Sequence, residues 1–204
     1  MTTDLWIATG NSKKHAELSR MLQPLGYNLR MQSEAPSEIH VVEDQPDFTG
    51  NAAKKAIALA TVVSAPTVAD DSGLSVDALN GRPGVHSARY AGEGANDLDR
   101  ITKLLGELAT IPAPQRTARF TCSLCLSDAT GQVIARFEES CEGIIRNTPK
   151  GEQGFGYDPI FVALEFLGQD TTFAELTPKQ KDTISHRGKA LRALETWLRT
   201  NPIT

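Results

Sequence analysis

The close alternation of strand-like and helix-like segments constrains this chain most. Residues 5–9, LWIAT, form a short apolar run of the kind a sheet buries. Directly after it, Leu18, Met21, Leu22 and Leu25 recur at helical spacing up to Gly26, which reads as the stop. YNLRMQ (27–32) reads as a second strand. Thr49 can cap a helix whose Ala53, Ala56, Ile57 and Ala60 share a face, with Pro66 just beyond it. TVADD (67–71) reads as a short strand, and Leu98, Ile101, Leu105 and Leu108 mark another helix. Residues 117–126 and 132–142 read as a strand pair around a turn at Asp128–Gly131. A last helical pattern covers 178–199, with Ile184, Leu191, Leu194 and Leu198 inward and a break near Ser185. This order predicts an α/β fold with helices flanking a central sheet, mixed because one pair is a hairpin. Without repeats or a long linker, the 204 residues are expected to form a single domain, 1–204.

Several classes of function fit poorly. The 21 basic and 25 acidic residues leave a net charge of −4, which argues against nucleic acid as partner. No apolar run approaches the roughly 18 residues of a membrane span. The opening MTTDLWIATGNSKK lacks the pattern of a secretory leader, so the expected location is cytoplasmic. Cys122 and Cys125 resemble a CxxC, but an offset of three along a strand sends the two thiols to opposite faces. A structural role is expected for them, and for Cys141. No dinucleotide fingerprint, nucleophile elbow or HExxH zinc motif occurs.

Four segments carry polar chemistry. Thr9-Gly10-Asn11-Ser12-Lys13-Lys14 follows a strand and opens a helix, where free N–H groups and the helix dipole favour an anion. Gly10 permits close approach, and Asn11 and Lys14 can bond phosphate oxygens. Asp70-Asp71-Ser72-Gly73 places two acids at a strand end, where a carboxylate can hold Mg²⁺. Adjacent strand residues face opposite ways, so one of the two acids is expected to serve a site. Phe155-Gly156-Tyr157-Asp158 can stack a base and bond its edge. Ser185-His186-Arg187-Gly188 offers donors for an oxo group or a phosphate. Each segment also has a plain reading as a capped helix start, a solvated turn, a core loop or a surface helix start. His15, His40 and His86 are isolated and read as structural.

Taken together and in order, ATGNSKK, GNAAKKA, ADDSGLSVDALNGRPGVHSARYAG, GFGYDPIF, AELTPKQK and SHRGKAL resemble the inosine triphosphate pyrophosphatase family, also called dITP/XTP pyrophosphatases. The pieces extend from residue 8 to residue 191. The resemblance implies a mixed sheet in two α/β lobes around a deep cleft, a homodimer, and Mg²⁺ as cofactor. It implies hydrolysis of purine nucleoside triphosphates such as ITP, dITP and XTP between the α and β phosphates, giving the monophosphate and pyrophosphate. On this resemblance Thr9, Gly10, Asn11, Ser12, Lys13 and Lys14 bind the triphosphate, together with Lys55. Asp71 is the catalytic acceptor and a metal ligand, and Ser72 binds substrate beside it. Phe155, Gly156, Tyr157, Asp158, Lys181, His186 and Arg187 complete the substrate site, with His186 or Arg187 donating to a 6-oxo purine.

The sequence departs from the family pattern in VVEDQPDFTGNAAKKA, which lacks the Thr-Gly that the family has between the acidic pair and the Phe, and is one residue shorter. Gly50 stands where the family has a Glu. Glu43 is the first candidate for the second metal ligand, with Asp44 as the alternative. Two rival functions stay open from sequence: a pyrophosphatase for modified pyrimidine triphosphates on a related fold, and a nucleotide-binding protein without catalysis.

Overall fold

The computed structural model describes residues 3–203; Met1 and Thr2 of the opening segment, and Thr204, lie outside the described residues. Strands are β1 (Asp4–Ala8), β2 (Asn28–Met31), β3 (Thr67–Val76), β4 (Thr117–Ser127), β5 (Val133–Ile145) and β6 (Phe161–Ala163). Helices are α1 (Ser12–Leu22), α2 (Phe48–Val63), α3 (Asp97–Glu107), α4 (Pro178–Ile184) and α5 (His186–Thr200). The sheet runs β2-β1-β3-β4-β5-β6. β1 pairs parallel with β2 and β3, with Ile7 opposite both Met31 and Val68, whereas β5 pairs antiparallel with β6. The fold is therefore a mixed α/β sheet flanked by helices, as the alternation predicts.

The chain divides into two compact units. Of the described residues, the first holds 3–71, 122–139 and 187–203. β1 shows why it forms: Leu5 and Ile7 pack with Leu18, Leu22, Leu191 and Leu194, while Trp6 and Ala8 pack with Ala52, Ala56 and Leu59. Both strand faces are buried, so an unbroken apolar run is what the position demands. Cys122 belongs to the first of these clusters and Cys125 to the second, which is the opposite-face placement expected of an offset of three. The second unit holds 72–121 and 140–186. Its core joins Leu74, Val76, Leu104, Phe120, Phe161 and Phe173. Gly143 in β5 is required there, since a Cβ would lie 2.3 Å from the Val162 carbonyl oxygen.

Local signals explain most element ends, and several differ from the sequence reading, β5 among them by running to Ile145 instead of 142. α1 stops at Leu22 instead of Leu25, because Pro24 has no N–H to continue the helix and residues 23–25 tighten into a 3₁₀ turn before Gly26 at φ 82°. α2 is capped by Asp47, not Thr49: the Asp47 carboxylate accepts from Gly50 N at 2.7 Å. The Thr49 hydroxyl instead meets Glu138 and Ser123. β3 continues five residues past Asp71, since Leu74 and Val76 alternate into the second unit's core. β6 has only three residues and leaves no alternation to read. The break at Ser185 is present, with φ −67° and ψ 154° between α4 and α5. Among the described residues no helix is long and apolar enough to cross a membrane.

Candidate active site

In the first unit, the loop between β1 and α1 is self-organised. Asn11 caps α1, its Oδ1 accepting from Lys13 N at 2.9 Å and Lys14 N at 3.1 Å. The Thr9 hydroxyl accepts from Asn11 N at 3.2 Å. The Asn11 carbonyl oxygen is therefore committed to the helix, and only its amide nitrogen suits a phosphate. Gly10, Ser12 and Lys13 are exposed. A Cβ at Gly10 would meet nothing within 4 Å, so packing within the protein does not demand glycine there.

The two adjacent acids of β3 have opposite surroundings. Asp70 is fully buried and its oxygens are saturated. Lys14 Nζ approaches Oδ1 at 2.5 Å, Arg187 Nε donates to Oδ2 at 2.7 Å, Arg187 Nη2 reaches Oδ1 at 3.4 Å, and the Cys122 thiol donates to Oδ2 at 3.1 Å. Arg187 Nη1 also donates to Glu17 Oε2 at 2.6 Å. Burial alone would raise the Asp70 carboxyl, but Arg187 and Lys14 outweigh it and hold it well below the usual carboxylate range. Burial likewise opposes the Arg187 charge, and Asp70 and Glu17 overcome that.

Asp71 receives Lys55 Nζ on Oδ1 at 2.9 Å, while its Oδ2 is buried with no hydrogen-bond partner. Burial pushes its carboxyl above the ordinary value; Lys55 and Lys14 only partly offset this, and Glu43 adds to it. The Lys55 ammonium also donates to Glu43 Oε1 at 2.8 Å. One cation thus joins Glu43 and Asp71, and those two carboxylates raise the Lys55 ammonium despite its burial. Asp44 is exposed and pairs with Lys54 instead. Of the two sequence candidates for a second carboxylate, the structure brings Glu43 to Asp71. Among the described residues no three His, Cys, Asp or Glu side chains gather as a metal-holding group.

In the second unit, the loop at 154–158 turns on Gly154 (φ 73°) and Gly156 (φ 61°). Asp158 Oδ2 accepts from Phe155 N at 2.8 Å and from Lys181 Nζ at 2.7 Å. A Cβ on Gly154 would fall 2.0 Å from that oxygen, so glycine is needed there on two counts. The Lys181 ammonium lies 4.9 Å from the Phe155 ring centroid. Gly156 N donates to Asp97 Oδ2 at 2.8 Å, and the buried Tyr157 hydroxyl donates to the Ser87 carbonyl at 3.0 Å. His186 stacks on Phe120 with centroids 4.8 Å apart. Ser72, directly after Asp71, is half-buried. Asp158 and Lys181 thus organise the loop as a buried ion pair, which a reading of the loop as a base-edge contact did not anticipate.

Sequence reasoning passed over Glu17, Asn51 and Asp97. Glu17 had a signal, standing three residues after Lys14 on one helix face. Asp97 had none beyond its place in a helix's first turn.

The model of the Ham1 family matches residues 5–197, and the chain belongs to that family. It is 47% identical to the dITP/XTP pyrophosphatase of Desulforamulus reducens over 188 residues, 92% of each chain. It is 46% identical to the dITP/XTP pyrophosphatase of Bacillus subtilis, covering 92% of this chain and 93% of that one. Its fold matches that of a HAM1 protein from Coxiella burnetii with a TM-score of 0.86 at 38% identity, over 98% of this chain and 100% of the other.

Proposed function

We propose that this chain hydrolyses purine nucleoside triphosphates of the dITP and XTP type to the nucleoside monophosphate and pyrophosphate, as its relatives' names indicate for them. The observation that carries this reading is Asp71: a buried carboxylate with one oxygen unpartnered, next to a second carboxylate on a shared lysine. An unpartnered buried acceptor is costly unless a ligand completes it. Asp71 and Glu43 are hard oxygen donors, which suits Mg²⁺, and these two residues would hold it. When bound, the cation supplies charge neutralisation at the phosphates.

The chain's own residues do the rest. The Thr9–Lys14 loop offers the triphosphate a helix N-terminus, with Gly10 leaving room for close approach and Lys13 supplying charge. Lys14 and Lys55 add positive charge from semi-buried positions. Asp71 takes a proton from the attacking water, and burial, by raising its carboxyl, favours that role. The new oxygen–phosphorus bond forms at the α phosphorus, the bond to the bridging oxygen breaks, and pyrophosphate leaves with that oxygen. Ser72 binds the substrate beside Asp71. Phe155, Gly156, Tyr157, Asp158, Lys181 and His186 are assigned to the nucleoside end, Phe155 by stacking. Arg187, anchored by Asp70 and Glu17, is assigned as a donor to a 6-oxo purine. A donor there meets the amino group of adenine and goes unpaired, which costs about 1–3 kcal/mol. Cytoplasmic residence and a homodimer accompany this reading; light scattering reads the latter.

The test is chromatography of products from ITP and Mg²⁺, alongside a panel of modified pyrimidine triphosphates. IMP and pyrophosphate are expected, with the pyrimidines turned over slowly. IDP and inorganic phosphate, or a preference for a pyrimidine, would overturn the assignment.

A further inference from the structure

The chain before α2 is fastened to that helix at every residue from Val42 to Gln45. Asn51, fully buried, accepts from Gln45 N at 3.0 Å through its Oδ1, while its Nδ2 has no hydrogen-bond partner. Lys54 donates to the Val42 carbonyl at 2.8 Å and to Asp44 Oδ1 at 2.6 Å. Lys55 holds Glu43 at 2.8 Å. Gly50 lets this strap lie close: a Cβ there would sit 2.8 Å from Gln45 Cβ and 3.1 Å from Asp47 Oδ1. The Gln45 Cβ is fixed to the backbone and is not the far end of a flexible chain, so the strap would have to move. The only strap residue that reaches Asp71, through Lys55, is Glu43.

We propose that Asn51 and Gly50 are positioning residues that set the place of Glu43 beside Asp71, and thereby the affinity of this carboxylate pair for a divalent cation. The proposal rests on the reading of Glu43 and Asp71 as the cation's ligands. The side-chain amide fixes the backbone two residues past Glu43, and the missing Cβ fixes how near that backbone comes. A buried Asn that leaves its own nitrogen unpartnered to hold one backbone N–H is poorly explained by stability alone, since an apolar side chain would fill the same space without the orphaned donor. Groups that orient metal ligands typically change metal affinity by about 10–100-fold when removed.

The test is Mg²⁺ titrated into the nucleotide-free protein by calorimetry, together with the Mg²⁺ half-saturation of ITP hydrolysis and thermal melting. The proteins are wild type, Asn51→Ala, Gly50→Ala and Glu43→Gln, with Asp44→Asn as control. Asn51→Ala and Gly50→Ala should each weaken Mg²⁺ about tenfold or more. Gly50→Ala is the sharper variant because it removes no hydrogen-bonding group and alanine favours a helix, so the protein should stay folded, with at most a modest loss of melting temperature from the displaced strap, while cation affinity falls. Asp44→Asn should stay within about twofold of wild type. If Gly50→Ala, or a folded Asn51→Ala, binds Mg²⁺ like wild type while Glu43→Gln does not, the strap does not position the ligand and the proposal fails. If Glu43→Gln itself binds like wild type, or wild type binds no Mg²⁺, the ligand reading beneath it fails instead.

Discussion

Asp70 and Asp71 are neighbours in one strand, yet their surroundings are opposites. Around Asp70, two cations, a thiol and the second acid Glu17 close a buried network in which both carboxylate oxygens are used. Around Asp71, a single lysine serves one oxygen and leaves the other buried and bare. Burial raises both carboxyls, but only at Asp70 do the partners reverse it. The period of two along a strand puts the residues into different environments, and the count of partners then divides their roles. A saturated carboxylate holds the architecture in place. An unsaturated one, kept at an energetic cost, is where a ligand or a proton can be received.

The largest effect expected from this contrast is on turnover. Asp71→Asn should reduce ITP hydrolysis about a thousandfold or more, combining loss of a general base with loss of a charged ligand. Its melting temperature should hold or rise, because a carboxyl whose folded value is raised costs stability when ionised at neutral pH. Retention of more than about a tenth of wild-type activity would remove Asp71 from catalysis. Kinetics and melting on the same preparation give the answer.

Asp70→Asn should act mainly on stability. Removing one partner from a buried pair strands Arg187 and Lys14, at a cost of about 3 kcal/mol. Equilibrium denaturation measures it. The pH dependence has a definite sign. Because the folded Asp70 carboxyl lies well below its ordinary 3.8, its contribution is fully present above that value and is lost as pH falls through the folded one. The stability gap between wild type and Asp70→Asn should therefore stay level from neutral pH down to about pH 4 and close only in stronger acid. A gap that closes between pH 6 and 5 would show that Asp70 is not held ionised by this network.

The same contrast shows how far the sequence can be read. The apolar run of β1 and the leucines of α1 were legible because burial on both faces, and on one stripe, leaves a pattern. The three residues of β6 leave none, and Ser72-Gly73 hides the continuation of β3. The cap of α2 falls in a polar cluster with several eligible residues, so Thr49 could stand in for Asp47. At the site, the opposed directions of Asp70 and Asp71 were legible from strand geometry alone. Which acid would be saturated was not, since Lys14 and Arg187 lie 56 and 117 residues away in the chain. Family resemblance pointed to Asp71; only the bonded partners give a physical reason. Arg187 shows the converse. Its place in SHRG suggested a donor to substrate, while three of its N–H directions engage Asp70 and Glu17.

Arg187 is therefore where the division between the two regions can be broken. If the network around Asp70 is architecture alone, any change at Arg187 slows every nucleotide equally. If the anchored guanidinium also meets the base, the loss depends on what position 6 offers. Arg187→Lys separates these outcomes while retaining a positive charge beside Asp70, so that the buried carboxylate keeps a partner. Lysine lacks the planar fork and cannot serve Asp70, Glu17 and a substrate oxygen together. The kcat/KM for ITP should fall roughly five- to 160-fold, equivalent to about 1–3 kcal/mol, with XTP following it. ATP, which presents a donor at position 6, should fall less than threefold, so that the ratio of ITP to ATP narrows. Lys14→Ala provides the reference, because a charge serving the phosphates should slow all three nucleotides by a common factor. Equal slowing of ITP and ATP by Arg187→Lys would confine Arg187 to the Asp70 network, and selection of the base would then have to rest on His186 and the loop from Phe155 to Asp158.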